Sequence, residues 1–338
     1  MQGGMGVGIS LSSLAGAVAK EGAIGVISAA QIGFSEPEYN KNPLETNIKM
    51  IGEHIKRARL IAPEGILGIN IMVATKEYAR YVKEAVRHGI DMIISGAGLP
   101  IELPALTKGS KTMLAPIVSS LKAAQIILKF WDKKQQVCPD LVVIEGPEAG
   151  GHLGFHEEEL EYYKKYSYSD EIKRIIGLVR VYEDKYQKRI PVFCAGGIQN
   201  HQEVEEYMSL GADGVQVGSL FVTTKECDAH DAYKKAYINC KEEDIVIIKS
   251  PVGLPGRAIN NTFLQRISSG RVPTTGCKNC INTCNPKETR YCIADALIRA
   301  VKGNVEEGLL FCGGKTYLQR EITTVKDVLK KLCPSVLT

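Results

Sequence analysis

The chain reads as an α/β protein on a TIM (β/α)8 barrel. Three observations predict this. Short apolar, β-branched runs recur along the first two thirds of the chain, amphipathic helical stretches separate them, and several runs end in glycine-rich turns. Strands that alternate with helices make βαβ units and a parallel sheet. Seven runs are too many for a simple mononucleotide fold and one short of a full barrel. An open doubly wound sheet is the alternative.

In chain order, the strands are expected at residues 24–28, 67–73, 92–95, 112–118, 141–145, 192–195 and 214–217. Helical periodicity covers residues 44–61, 76–88, 121–133, 170–186 and 202–210. The cluster Gln2-Gly3-Gly4-Met5-Gly6 looks like the loop after a first strand, yet only Met1 stands before it. Because a barrel without that strand exposes two edges, an apparently truncated first strand is expected. An acidic stretch and a tyrosine-rich stretch, residues 157–168, form a polar, lid-like insert. Beyond Phe221 the strand rhythm stops, and Pro251, Pro255 and Pro273 punctuate a helical and loop-rich stretch. The expected division is a barrel at 1–224, a small helical, cysteine-bearing subdomain at 225–300 and a segment packing back on the barrel at 301–338.

Bulk composition narrows the function. The 338 residues are 44% hydrophobic and 24% charged, enough for a large buried core. A net charge of +4, spread along the chain, argues for neither nucleic acid nor a membrane surface. No apolar run approaches the roughly 18 residues that span a bilayer. The N-terminus shows no basic region or cleavage pattern of a signal peptide. The expectation is a cytoplasmic protein acting on a small molecule, with a homodimer left open. In that reducing compartment the ten cysteines point away from disulfides.

Chemistry concentrates where strands end. Val142 to Glu145 reads as a buried strand, and the loop after it, Gly146-Pro147-Glu148-Ala149-Gly150-Gly151-His152-Leu153-Gly154, presents one histidine. Its glycines let the backbone turn tightly and approach a ligand. A histidine just after a strand sits where α/β folds place their chemistry. Two further turns, at Gly196-Gly197 and at Gln216-Val217-Gly218-Ser219, follow the last two expected strands. In a barrel that pair makes a phosphate site from backbone N–H groups. Asn70 is the one polar residue in an apolar strand, and its amide must be satisfied by backbone or by a ligand. Ser95-Gly96-Ala97-Gly98 leaves clearance for a flat ring.

Taken together, these stretches resemble the nitronate monooxygenase family, formerly the 2-nitropropane dioxygenases, which includes the similar FMN-dependent enoyl-acyl-carrier-protein reductase II. The matching segments are 2–5, 68–72, 96–98, 145–154, 195–198, 215–221 and Ser-Pro-Val-Gly-Leu-Pro-Gly-Arg-Ala-Ile at 250–259. The resemblance implies an FMN-binding TIM barrel. By position it implies that Gly3, Gly4 and Met5 pass under the flavin and that Asn70 bonds its ring. It places Glu145, Gly150, Gly151 and Gln216 close by. Gly196, Gly197, Gly218 and Ser219 would hold the phosphate, and His152 would be the active-site histidine. Two activities follow: oxidation of alkyl nitronates with dioxygen, or NAD(P)H-dependent reduction of an enoyl thioester. The same motifs serve both. A reductase would also need a basic rim, for which Lys241, Lys249, Arg257, Arg266 and Arg271 are candidates. The monooxygenase is the first expectation. A neutral imidazole with a pKa near 6.5 would suit its proton transfer.

One feature departs from that family. Cys277, Cys280, Cys284 and Cys292 follow C-x2-C-x3-C-x7-C spacing. Four thiolates in so short a segment suit a [4Fe–4S] cluster or a structural zinc, against four free thiols in a loop. This departure keeps a third function open, a non-catalytic flavin and iron–sulfur module for electron transfer or sensing. The other cysteines have no partner at ligand spacing, and Cys194 reads as a small buried hydrophobe.

Overall fold

A computed structural model describes residues 1–274 and 276–334; the last four residues of the expected 301–338 segment therefore lie outside it. Seven parallel strands form the central sheet: β1 (Gly25–Ser28), β2 (Leu67–Asn70), β3 (Met92–Ser95), β4 (Met113–Val118), β5 (Val142–Glu145), then, after the short β6 (Gly151–His152), β7 (Val192–Ala195) and β8 (Gly214–Gln216). Their spatial order is β1-β2-β3-β4-β5-β7-β8, so each βα unit adds its strand beside the last. Each of the seven expected strands is present. The second is shorter than its apolar run, because Ile71 to Val73 leaves the sheet as a loop.

The curled sheet closes through residues 1–3. Gln2 bridges Val217 in parallel, Gly3 N–H donates to Val217 O at 2.8 Å, and Val217 N–H donates to Met1 O at 3.0 Å. On the other side, Gln2 N–H donates to Ile24 O at 3.0 Å. The Gln2 side chain then does what a strand backbone would do. Its Oε1 accepts from Val26 N–H at 2.9 Å and its Nε2 donates to Val26 O at 3.1 Å. The place expected for a first strand is thus filled by three residues and the carboxamide of a fully buried Gln2.

Alternation along the strands builds two layers. Val26, Met92, Ile94, Ala115, Val143 and Ala195 pack together on one face, inside the barrel. Ile27, Ile69, Ile93, Val142, Ile144 and Cys194 belong to the larger core under the helices. Burying each large apolar side chain contributes about 1.5–3 kcal/mol. Helices Pro43–Ile61, Tyr78–Arg87, Leu121–Phe130 and Ser169–Tyr186 supply that outer layer. Ser120 caps one of them, its Oγ accepting from Ala123 N–H at 3.2 Å. None of the described helices is long and apolar enough to cross a membrane.

Beyond Phe221 the structure corrects the expectation of helix and loop alone. It adds a hairpin, β9 (Ile245–Lys249) and β10 (Pro255–Ile259), which pairs antiparallel with β6. The residues 157–168 insert is a short helix, Glu157–Tyr163, followed by a tyrosine cluster around Phe155.

Candidate functional site

The strand ends carry the polar residues. Asn70 ends β2, Glu145 ends β5 and Gln216 ends β8. Register sets Glu145 level with Ala195 and Ala195 level with Gln216, so these ends form one rim. A cavity of about 420 Å3 lies over this rim. All thirteen residues expected at the site line it: Gly3, Gly4, Met5, Asn70, Glu145, Gly150, Gly151, His152, Gly196, Gly197, Gln216, Gly218 and Ser219. Gly4 is required there by space. A Cβ on it would stand 2.4 Å from the Asn70 Cβ.

One end of the cavity is backbone. Gly196 and Gly197 sit at φ 109° and 72°, a left-handed region that favours glycine. Beside them, Ser219 Oγ accepts from Gly313 N–H at 3.2 Å and bonds Thr316 Oγ1 at 3.3 Å. Lys315 also lines this end, its Nζ held by Glu203 Oε1 at 2.6 Å. Glycine backbone with a nearby ammonium is the chemistry of an anion site. Gln216 adds an independent sign. Its Oε1 is buried with no hydrogen-bond partner among the described residues. Such an acceptor costs about 1–3 kcal/mol unless a ligand supplies a donor.

The other end holds His152. Pairing of Gly256 with His152 and of Arg257 with Gly151 fixes the histidine's backbone against β10. Its ring packs edge-on to Phe311 at 4.9 Å, and Nε2 shares a hydrogen bond with Ser250 Oγ at 2.8 Å. Burial pulls its pKa down to about 4, below the value near 6.5 expected of it. The imidazole is therefore neutral at physiological pH and a weak base. Glu145 is shifted the other way. Burial pushes its carboxyl up to about 7, against the Gly154 N–H, the Ser119 hydroxyl and the Arg257 charge. Ser119 Oγ lies 3.5 Å from Glu145 Oε2.

Several residues in or beside the cavity were not singled out as site candidates from the sequence. Ser250 is 98 residues from His152 and reaches it only because β6 pairs with β10. Gly313, Gly314 and Lys315 form a Gly-Gly-Lys run that could have been flagged as a further anion loop. Leu254, Leu297 and Phe311 make an apolar wall. Of the candidate basic rim, Arg257 is instead buried and donates to Ala149 O. Cys277, Cys280, Cys284 and Cys292 stand apart from this cavity and around a smaller one, with Cys277 exposed. Among the described residues, no three His, Cys, Asp or Glu side chains form a single-ion site.

Residues 1–335 match the family described as Nitronate monooxygenase. The chain belongs to the nitronate monooxygenase family. A curated Staphylococcus saprophyticus protein named "Probable nitronate monooxygenase" is 29% identical over 198 residues, which are 57% of this chain and 50% of that protein. A Staphylococcus aureus (strain Newman) protein of the same name is 33% identical over 166 residues, 46% of this chain and 44% of that one. These matches therefore span about half the length of the curated family members or less. Solved structures share the TIM-barrel-like fold. FabK from Thermotoga maritima has a TM-score of 0.72 at 24% identity, covering 98% of this chain and 90% of that one. A nitroalkane oxidase from Streptomyces ansochromogenes has a TM-score of 0.73 at 18% identity, covering 99% and 94%. The enoyl reductase domain of MlnA from Bacillus amyloliquefaciens has a TM-score of 0.66 at 13% identity, covering 99% and 94%.

Proposed function

We propose that this chain is an FMN-dependent oxidoreductase that oxidises alkyl nitronates with dioxygen to carbonyl compounds and nitrite. The cavity carries the cofactor reading, because Asn70, Glu145 and Gln216 line it together with the left-handed glycine turn at Gly196 and Gly197 and with Lys315. FMN offers ring N–H donors, a flat ring and a phosphate, and these fit the three parts of the cavity. When bound, FMN supplies the redox chemistry, and the protein binds and orients.

Each residue then has an assigned task. Gly196, Gly197, Gly218 and Ser219 would hold the phosphate, with Lys315 alongside. Asn70 and Gln216 would hydrogen-bond the ring, and Gly3, Gly4 and Met5 would line its bed. Gly150, Gly151 and Glu145 close the side next to His152. His152 is held by the hydrogen bond that its Nε2 shares with Ser250 Oγ.

The low pKa of His152 bears on the substrate. A base with a pKa of about 4 is poorly matched to removing a proton from a neutral nitroalkane near neutral pH. A nitronate is already ionised, and His152 then needs only to orient it. Glu145, near 7, is partly protonated at neutral pH and accommodates a neighbouring anion in that form.

A second reading rests on the apolar wall of Leu254, Leu297 and Phe311, which suits an acyl chain and hence an NAD(P)H-dependent enoyl-acyl-carrier-protein reductase. Anaerobic absorbance of the purified protein separates the two. Bleaching by an alkyl nitronate, with NADPH inert, is the expected result. Bleaching by NADPH alone would overturn the nitronate reading in favour of the reductase. Flavin that responds to neither would favour a non-catalytic carrier or sensor, and a preparation that binds no flavin would overturn the cofactor reading.

A further inference from the structure

The four-cysteine segment is not used by the chemistry above, yet it is built around a hollow. Cys277, Cys280, Cys284 and Cys292 all line one cavity of about 200 Å3, and all four are unbridged thiols. They do not close on a point, since no three of the described side chains make a single-ion site. A structural zinc requires four sulfurs at about 2.3 Å from one centre. A [4Fe–4S] cube takes one thiolate at each iron, so its sulfurs are spread around a larger object.

The surroundings suit an anionic cluster. Asn279 N–H donates to Cys277 Sγ at 3.3 Å. Cys292 stands immediately before the first turn of helix Ile293–Val301. Hydrogen bonds to sulfur are a principal control on cluster potential. Lys76 and Lys278 line the same cavity, Lys76 Nζ donating to Asn279 Oδ1 at 2.6 Å and Lys278 Nζ lying 3.7 Å from Asp295 Oδ1.

The segment is stitched to the barrel beside the large cavity. Thr75 bridges Ile281 antiparallel, Lys76 N–H donates to Cys280 O at 3.0 Å, and Asn282 N–H donates to Ala74 O at 3.0 Å. Met72 lines the large cavity and Lys76 the small one. Four residues span at most about 14 Å when extended, and here Thr75 N–H turns back onto Met72 O at 3.0 Å. Cys292 and Leu297 likewise face the two cavities from one helix, about 7.5 Å apart along its axis.

We propose that Cys277, Cys280, Cys284 and Cys292 bind a [4Fe–4S] cluster in this cavity, one turn of chain away from the large cavity. The site is independent of which substrate the large cavity takes.

The test is metal and sulfide analysis of the full chain, purified anaerobically, with FMN released from the same sample measured separately. About four irons and four acid-labile sulfides per chain are expected, with a broad visible absorbance that dithionite bleaches and a paramagnetic resonance signal in the reduced sample. Cys280→Ser and the exposed Cys277→Ser should each lose most of the iron and sulfide. Cys333→Ser should retain both. One zinc per chain without sulfide, or four thiols freely titratable in the folded protein as first isolated, would overturn the proposal. Because FMN content is read independently, failure of the cluster site and failure of the flavin reading are told apart.

Discussion

The two halves of the large cavity are made differently. The lower half is the sheet, where Asn70, Glu145 and Gln216 sit at strand ends in a fixed register, with glycines between them. The upper half is brought in from beyond Phe221, where Leu254, Leu297 and Phe311 line the cavity and Ser250 bonds His152. The sheet half is backed on both faces by apolar layers. The upper half meets the sheet half through His152, whose strand pairs with β10 rather than with the barrel. Under the proposed function the difference becomes a division of labour, in which the sheet half would hold the cofactor and the upper half would aim the histidine and shape the substrate space.

The strongest way to break this division is His152→Ala. Nitronate turnover should fall about 10²-fold, the scale of lost positioning, while FMN content stays at the wild-type level. Loss of FMN in this variant would contradict the division. Gly4→Ala tests the opposite half. Its Cβ would press on Asn70 at 2.4 Å, an overpacking that costs about 1–3 kcal/mol. The expected outcome is lower FMN retention on gel filtration and a lower thermal midpoint, with turnover per bound FMN little changed.

Ser250→Ala should lower turnover by about tenfold, since one hydrogen bond that orients the ring is worth about 1 kcal/mol or slightly more. FMN content should again hold, and an unchanged rate would remove Ser250 from the positioning role. The smallest effect sharpens the comparison within the sheet half. Glu145 has a pKa raised to about 7, so its carboxyl is neutral below that value and becomes an anion as pH rises through it. Nitronate turnover should therefore fall by about fivefold above pH 7, equivalent to ~1 kcal/mol of like-charge repulsion. Glu145→Gln should flatten that limb of the profile.

The lower half was legible because its signals are local. Asn70 stands out as a polar residue in an apolar strand, and the turns after β7 and β8 are glycines at the right order. The upper half was not. The run Ile245–Lys249 carries strand character, but nothing in its neighbourhood tells that it pairs with β10 and, through it, with Gly151 and His152. Ser250 becomes a partner only through that antiparallel register. The pKa of His152 escaped for the same reason, because burial is a property of the assembled cavity. The cysteines were visible by spacing, while the hollow between them required the fold. The closing of the barrel was also unreadable, because Gln2 replaces a strand with a side chain.

That substitution makes the Val26 amide a reporter. A backbone rung between β1 and β2 opens only when two strands part, but the Val26 N–H is covered by a side chain. Rotation of one glutamine exposes it to solvent while the flanking strands stay in place. Deuterium uptake at Val26, compared with uptake at Ile27 in the β1–β2 ladder, would time the motion of a single side chain and separate it from parting of the whole wall.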